Sequence, residues 1–386
     1  MKPQEKAEDS FLGLYCHVPF CPHRCAYCAF YHEPPKREWI DRYLDGIQKE
    51  VASITVHSLP KTIFFGGGTP GILSTKDFQS LSSSILSLSD GHKSLGTNRP
   101  VEWTVEMAPS TVKEDKLLLM KELGITRISL GIQSFNPHTL NTLGRRHSAK
   151  QALLAYELIR EFAFDVNIDL MFAIPSQTLE SWSSDLQKAI EIQPDHISTY
   201  CFTHEENTPF DLKLSPDKSL SKEESDLLFY EKTWDYLPEN GFIHYEISNF
   251  ARPGKQCLHN LNTWDMGEWI GIGPAAASQY NQTRYNNPAS IEKWYESLSH
   301  QTPFENITPL TPESLATDAL MFGLRKIQGV NLDSLSSRYA IDLRKKYAPL
   351  LHSLSENKLL IQEGPHIRLS RPGLLLSDSI ALDFLE

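Results

Sequence analysis

From residue 12 to about residue 202, short β-branched apolar runs alternate with longer amphipathic stretches, six times over. No other feature limits the fold of this chain so strongly. Runs 12–18, 62–65, 101–107, 127–131, 164–172 and 196–202 read as strands, and 38–51, 111–123, 149–162 and 179–192 as helices. Ser148 is placed to cap the third of these helices, whose apolar stripe is Leu153, Leu154, Leu158 and Ile159. Gly124 stands where the second helix should stop. Strands regularly separated by helices imply parallel pairing with right-handed crossovers. Six units are too few for a closed eightfold barrel. The predicted class is therefore α/β, with an open, partial (β/α)6 barrel.

In such folds the ligand site lies at the C-terminal ends of the strands. The chemically informative residues gather there. Cys21 follows the first strand and Gly66 the second; Glu106 ends the third, Gln133 follows the fourth, and Asp169 lies in the fifth.

Cys21, Cys25 and Cys28 form a C-x3-C-x2-C set, three ligands and not four. Cubane iron–sulfur clusters normally take four thiolates, so three leave one iron open for chemistry. A structural zinc site would need His17 or His23 as its fourth ligand and usually pairs distant ligand sets. A disulfide framework fits poorly, because six cysteines (Cys16, Cys201 and Cys257 are the others) are sparse in 386 residues. The spacing favours a cluster in a reducing compartment. Gly66-Gly67-Gly68-Thr69-Pro70 after the second strand lets a ligand approach the backbone closely, or simply makes a tight turn. It lacks the Gly-Lys-Ser/Thr ending of a nucleoside triphosphate loop.

Hydrophobic and charged contents of 40% and 22% are those of a globular protein, and no apolar run is long enough to span a membrane. A net charge of −11 disfavours a nucleic-acid partner. The polar first ten residues have no targeting pattern, so a cytoplasmic location is expected. Three regions are expected: a core at 1–215, a strand-containing extension at 216–302, and a small α+β domain of winged-helix type at 303–386. The charged stretch 203–222 marks the first boundary, and Ser221 with Glu224 reads as a capping box. Helices at 313–324 and 338–357 precede a hairpin of 359–361 with 366–369. Seven basic and seven acidic residues from 332 onward do not mark a DNA reader.

The cysteine set with Tyr27, followed by Gly66-Gly67-Gly68-Thr69-Pro70, resembles the radical S-adenosylmethionine (SAM) superfamily. More narrowly, Tyr15-Cys16-His17-Val18-Pro19-Phe20-Cys21, Ser129-Leu130-Gly131-Ile132-Gln133-Ser134-Phe135-Asn136, Gly144-Arg145-Arg146-His147 and Ser248-Asn249-Phe250-Ala251-Arg252-Pro253-Gly254 resemble the oxygen-independent coproporphyrinogen III oxidase-like group. True oxidases of that group carry a fourth cysteine where this chain has Phe30, and a longer segment before the first cysteine than the 20 residues here. Both departures resemble the HemW branch of heme chaperones, as does His259-Asn260-Leu261-Asn262-Thr263-Trp264, except that Thr263 stands where that branch has Tyr.

The resemblance implies a 4Fe–4S cluster on Cys21, Cys25 and Cys28, and SAM held by Tyr15, Tyr27, Gly67, Gly68, Thr69, Glu106, Gln133, Arg145 and Asp169. It implies heme as a further cofactor, with His259 the candidate ligand and Cys257 and His17 its rivals. It also implies a heme-acceptor protein and an electron donor such as a flavodoxin or ferredoxin, and it allows peripheral membrane contact and a homodimer. The alternative activity is oxidative decarboxylation of coproporphyrinogen III. Ala108, Ala173 and Ala277 depart from the group's Asn, Gly and His at their positions.

Overall fold

The computed structural model describes residues 11–88, 100–203, 205, 208–210, 221–300 and 303–385, with backbone alone for 221–225. Much of the expected boundary 203–222, and the capping-box side chains of Ser221 and Glu224, lie outside the described residues.

Six strands, β1 (Leu12–Val18), β2 (Thr62–Gly67), β3 (Glu102–Met107), β4 (Arg127–Gln133), β5 (Asp165–Phe172) and β6 (His196–Cys201), pair in parallel in chain order. Between them run α1 (Arg37–Ser53), α2 (Thr75–Ser87), α3 (Glu114–Leu123), α4 (Pro137–Thr142), α5 (Ala149–Glu161) and α6 (Leu179–Glu191). The two punctuation marks behave as expected. Gly124 ends α3 in the left-handed region (φ 89°), and Ser148 caps α5 in a reciprocal box with Gln151.

The strands have two chemically distinct faces. Leu12, Leu14, Cys16 and Val18 of β1, Trp103, Val105 and Met107 of β3, and Val166, Ile168, Leu170 and Phe172 of β5 are buried in the main hydrophobic core. The alternate residues Thr104, Glu106, Arg127, Ser129, Asn167, Asp169, His196 and Ser198 line a cavity inside the curved sheet. Period-two alternation thus separates a dry packing layer from a polar lumen.

After α7 (Ser221–Glu239) come β7 (Ile243–Glu246), β8 (Asn249–Ala251), α8 (Leu258–Trp264), β9 (Glu268–Ile272), β10 (Ala277–Tyr280), β11 (Thr283–Asn286), α9 (Ile291–Ser297) and β12 (Glu305–Pro309). These strands extend the same sheet, giving the order β12-β11-β10-β9-β1-β2-β3-β4-β5-β6-β8-β7. β9 runs parallel to β1, so seven strands form the parallel section, one more than the sequence pattern implies. The barrel remains open, its edges being β12 and β7. Glu50 of α1 ties the added strands down: its buried carboxylate accepts from Gly273 N (2.8 Å), Asn287 Nδ2 (2.6 Å) and Trp294 Nε1 (3.1 Å).

The remaining elements are α10 (Pro312–Gly323), β13 (Val330–Asn331), α11 (Leu332–Tyr339), α12 (Leu343–Lys346), α13 (Ala348–Glu356), β14 (Leu360–Glu363), β15 (His366–Leu369), α14 (Arg371–Leu375) and α15 (Ser377–Asp383). They make a small winged-helix-like α+β unit with the three-stranded sheet β13-β15-β14. The helix expected at 338–357 is broken into pieces. Ala340 takes a left-handed C-cap (φ 56°), and Asp342 starts a new helix by accepting from Lys345 N. Among the described residues no helix is long and apolar enough to cross a membrane.

Candidate active site at the barrel mouth

The segment carrying the three cysteines is fixed at both ends by backbone bonds. Cys21 N donates to Glu33 O (3.1 Å), and Ala26 N donates to Leu143 O (3.1 Å) just past α4. Cys21, Cys25 and Cys28 are free thiols and line the mouth of a cavity of about 600 Å³. Burial pushes the Cys21 thiol up to about 11, against the lowering effect of the Thr69 hydroxyl 3.5 Å away. Burial also raises Cys28.

The glycine turn lies directly against this segment. Gly68 N donates to Val18 O (2.9 Å) and Thr69 N to Phe20 O (2.8 Å). A Cβ on Gly68 would sit 2.7 Å from Phe20 O, and Gly67 has φ +100°. Both positions therefore require glycine, and the turn places its backbone beside the thiols.

Deeper in the lumen two carboxylates face each other. Glu106 accepts from Gly67 N (3.2 Å); burial, then the Asp169 charge, pushes its carboxyl up to about 8. Asp169 accepts from Ser129 Oγ (3.1 Å) and Asn167 Nδ2 (2.8 Å), and burial raises it as well. Arg145 donates to Gly131 O (2.6 Å) and approaches Cys25 Sγ (3.5 Å), while its buried Nε has no partner. Gln133 follows a bulge in β4 and holds φ 71°, a strained conformation at the site. Tyr27 lines the cavity and packs beside Leu143, Met171, Ile174 and Phe202. Three thiols, a close-approach turn and an unpaired cationic nitrogen in one cavity suit a three-cysteine cluster with a zwitterionic ligand on it.

Two expected residues stand apart. Tyr15 does not line the cavity; its hydroxyl meets His17 Nδ1 (3.1 Å), and its ring packs 6.2 Å from Phe64. His259 is at the opposite end of the barrel. Its Nδ1 pairs with the Thr62 hydroxyl (2.9 Å) where β2 begins, its ring packs on Phe64 (5.4 Å), and burial pushes its pKa down to about 4. There α8 closes the lumen as a floor. Glu102 accepts from Leu258 N and His259 N (3.0 Å each) and pairs with Arg127 (3.2 Å). The neighbouring Cys257 and Asn260 do line the cavity's lower end. His17, whose ring packs under Gly67, spends Nε2 on Tyr31 O (3.2 Å).

Sequence reading missed Thr104, Arg127, Ser129, Asn167, His196 and Ser198 as lining residues. The signal was there: each is a polar residue two positions from another on an otherwise apolar strand.

Residues 15–189 match the Radical SAM superfamily, and residues 310–376 match the HemN C-terminal domain. The chain is 30% identical to the heme chaperone HemW of Lactococcus lactis over 97% of both chains. It is also 30% identical to that of Bacillus subtilis, over 97% of this chain and 99% of the relative. With the heme chaperone HemW of Escherichia coli it shares 36% identity over 69% of each chain. Coproporphyrinogen III oxidase (HemN) from Escherichia coli, a radical SAM enzyme, has the same fold, with a TM-score of 0.81 at 21% identity over 97% of this chain and 90% of that one. Fold and full-length similarity thus agree, and this chain belongs to the HemW family of the radical SAM superfamily.

Proposed function

We propose that the protein holds a 4Fe–4S cluster on Cys21, Cys25 and Cys28, binds SAM beside it, and carries heme to an acceptor protein. The observation that carries this reading is the cavity mouth, where three free thiols adjoin a glycine turn and residue 30 is an exposed phenylalanine (68%) instead of a fourth thiol. The relatives that match over nearly the full length are named heme chaperones.

When bound, the cluster supplies the electron for cleavage of the SAM sulfonium. The chain's own residues bind and orient. Glu106, as carboxylate, holds the SAM ammonium together with the open backbone at Gly67 and Gly68. Arg145, which lines the cavity beside Cys25, pairs its guanidinium with the SAM carboxylate, and Asp169 accepts from the ribose hydroxyls. Tyr15 backs the turn through Phe64, while Thr69, Tyr27 and Gln133 enclose the ligand. A flavodoxin- or ferredoxin-type protein is the proposed electron donor.

Anaerobic reconstitution followed by parallel assays tests the reading. Expected are cluster loading, SAM binding and tight hemin binding, without conversion of coproporphyrinogen III. Turnover of that porphyrinogen without hemin binding favours the oxidase instead.

SAM binding should also depend on pH. Free Glu106 stays protonated until about pH 8 and must lose that proton to hold an ammonium. Affinity therefore rises with pH up to that value, by at most about tenfold per pH unit. Calorimetric titration of Glu106→Gln should give weaker binding and a flat profile; an unchanged slope would remove Glu106 from this role.

A further inference from the structure

Heme recognition needs an iron ligand, an apolar wall and a cation for the propionates. His259 supplies none of these to a ligand entering from the mouth, being enclosed by Gly13, Thr62 and Phe64 at the barrel floor. His23 is near the thiols, but its Nε2 is buried. His32 is different.

We propose that the rim of the cavity, built from His32 and Phe30 and flanked by Arg146, is an iron-porphyrin site in which His32 Nε2 is the axial ligand. The proposal rests on the heme-carrying reading above and gives it a location. His32 lines the cavity mouth, and its Nδ1 lies 2.8 Å from Phe30 O. A carbonyl only accepts, so Nδ1 carries the hydrogen and Nε2 keeps the lone pair. Metal-bound histidines are commonly oriented by this arrangement, a ring N–H on a backbone carbonyl. No described residue bonds Nε2.

Phe30 provides the wall. Its ring is 68% exposed on the same turn of chain and lines the cavity mouth beside His32. Arg146 provides the cation. It is exposed and makes no hydrogen bond or ion pair among the described residues. It follows Leu143, whose carbonyl anchors Ala26, and Gly144, which packs against the same amide, so it flanks the cysteine segment. The lumen below is left for SAM.

Hemin titration of the reconstituted protein, followed by absorbance, tests the site. His32→Gln should keep its iron and sulfide content yet bind hemin more weakly by about tenfold or more. His32→Cys should still bind, with the Soret band moved to that of a thiolate-ligated heme, a change a merely structural histidine would not cause. Arg146→Met should weaken binding severalfold. Wild-type affinity and an unmoved Soret band in both His32 variants overturn the site while leaving heme carriage standing, as does a loss confined to His259→Gln. If the wild-type protein binds no hemin, heme carriage and this site fall together.

Discussion

Cys25→Ser leaves a protein that folds but takes up no 4Fe–4S cluster on anaerobic reconstitution, as iron analysis and the charge-transfer absorbance will show. Cys25 is the most enclosed of the three thiols and the one beside the Arg145 guanidinium, at 3.5 Å. Serine keeps its size but not the soft thiolate that holds iron. Because the segment is held by backbone bonds from Cys21 and Ala26 and not by the thiol itself, far-UV dichroism should be unchanged. SAM binding that depends on the open iron should disappear with the cluster. Serine at Cys16 should leave the iron content intact, since its thiol is buried in the hydrophobic core against the Tyr43 hydroxyl. Undiminished iron in Cys25→Ser would refute the ligand assignment.

The second large effect lies at the barrel floor. Arg127→Met should lower unfolding free energy by about 3–5 kcal/mol, the usual result of stripping one partner from a buried ion pair. The Arg127 and Glu102 side chains are only 5% and 6% exposed, so neither is screened by water. Arg127 also donates to Lys255 O (3.1 Å) and Gln256 O (3.2 Å), the residues that lead the chain into α8. Its loss strands the carboxylate and frees the approach to the floor helix. The double variant Glu102→Gln/Arg127→Met should recover part of the loss, because the uncompensated charge is gone. Urea denaturation of all three forms measures it. A loss under about 1 kcal/mol in Arg127→Met would show that the pair contributes little.

The parallel core was legible because its information is local: apolar runs of strand length, a glycine at Gly124 and a capping serine at Ser148 each act within a few residues. The site followed from the same source, since strand ends place Glu106, Gln133 and Asp169 at one mouth without knowledge of packing. What escaped was non-local. Residues 258–264 read as part of a strand-rich region, yet they form α8, whose first amides are satisfied by Glu102, a residue more than 150 positions earlier in the chain. No local cap announces that helix. β9 reads as an appendage, but its partner is the first strand of the core. The position of His259 was hidden for the same reason. Its sequence neighbours suggest a ligand, and only the floor geometry shows the ring turned toward Thr62.

The pairing of β9 with β1 also bears on how the molecule is made. Synthesis proceeds from the N-terminus, and the outer edge of β1 stays unpaired until Glu268–Ile272 has left the ribosome. Until then the strand that leads into the thiol segment is a bare edge, open to pairing with other chains. Chains cut short of that strand, some 250 residues downstream, should therefore be prone to aggregate.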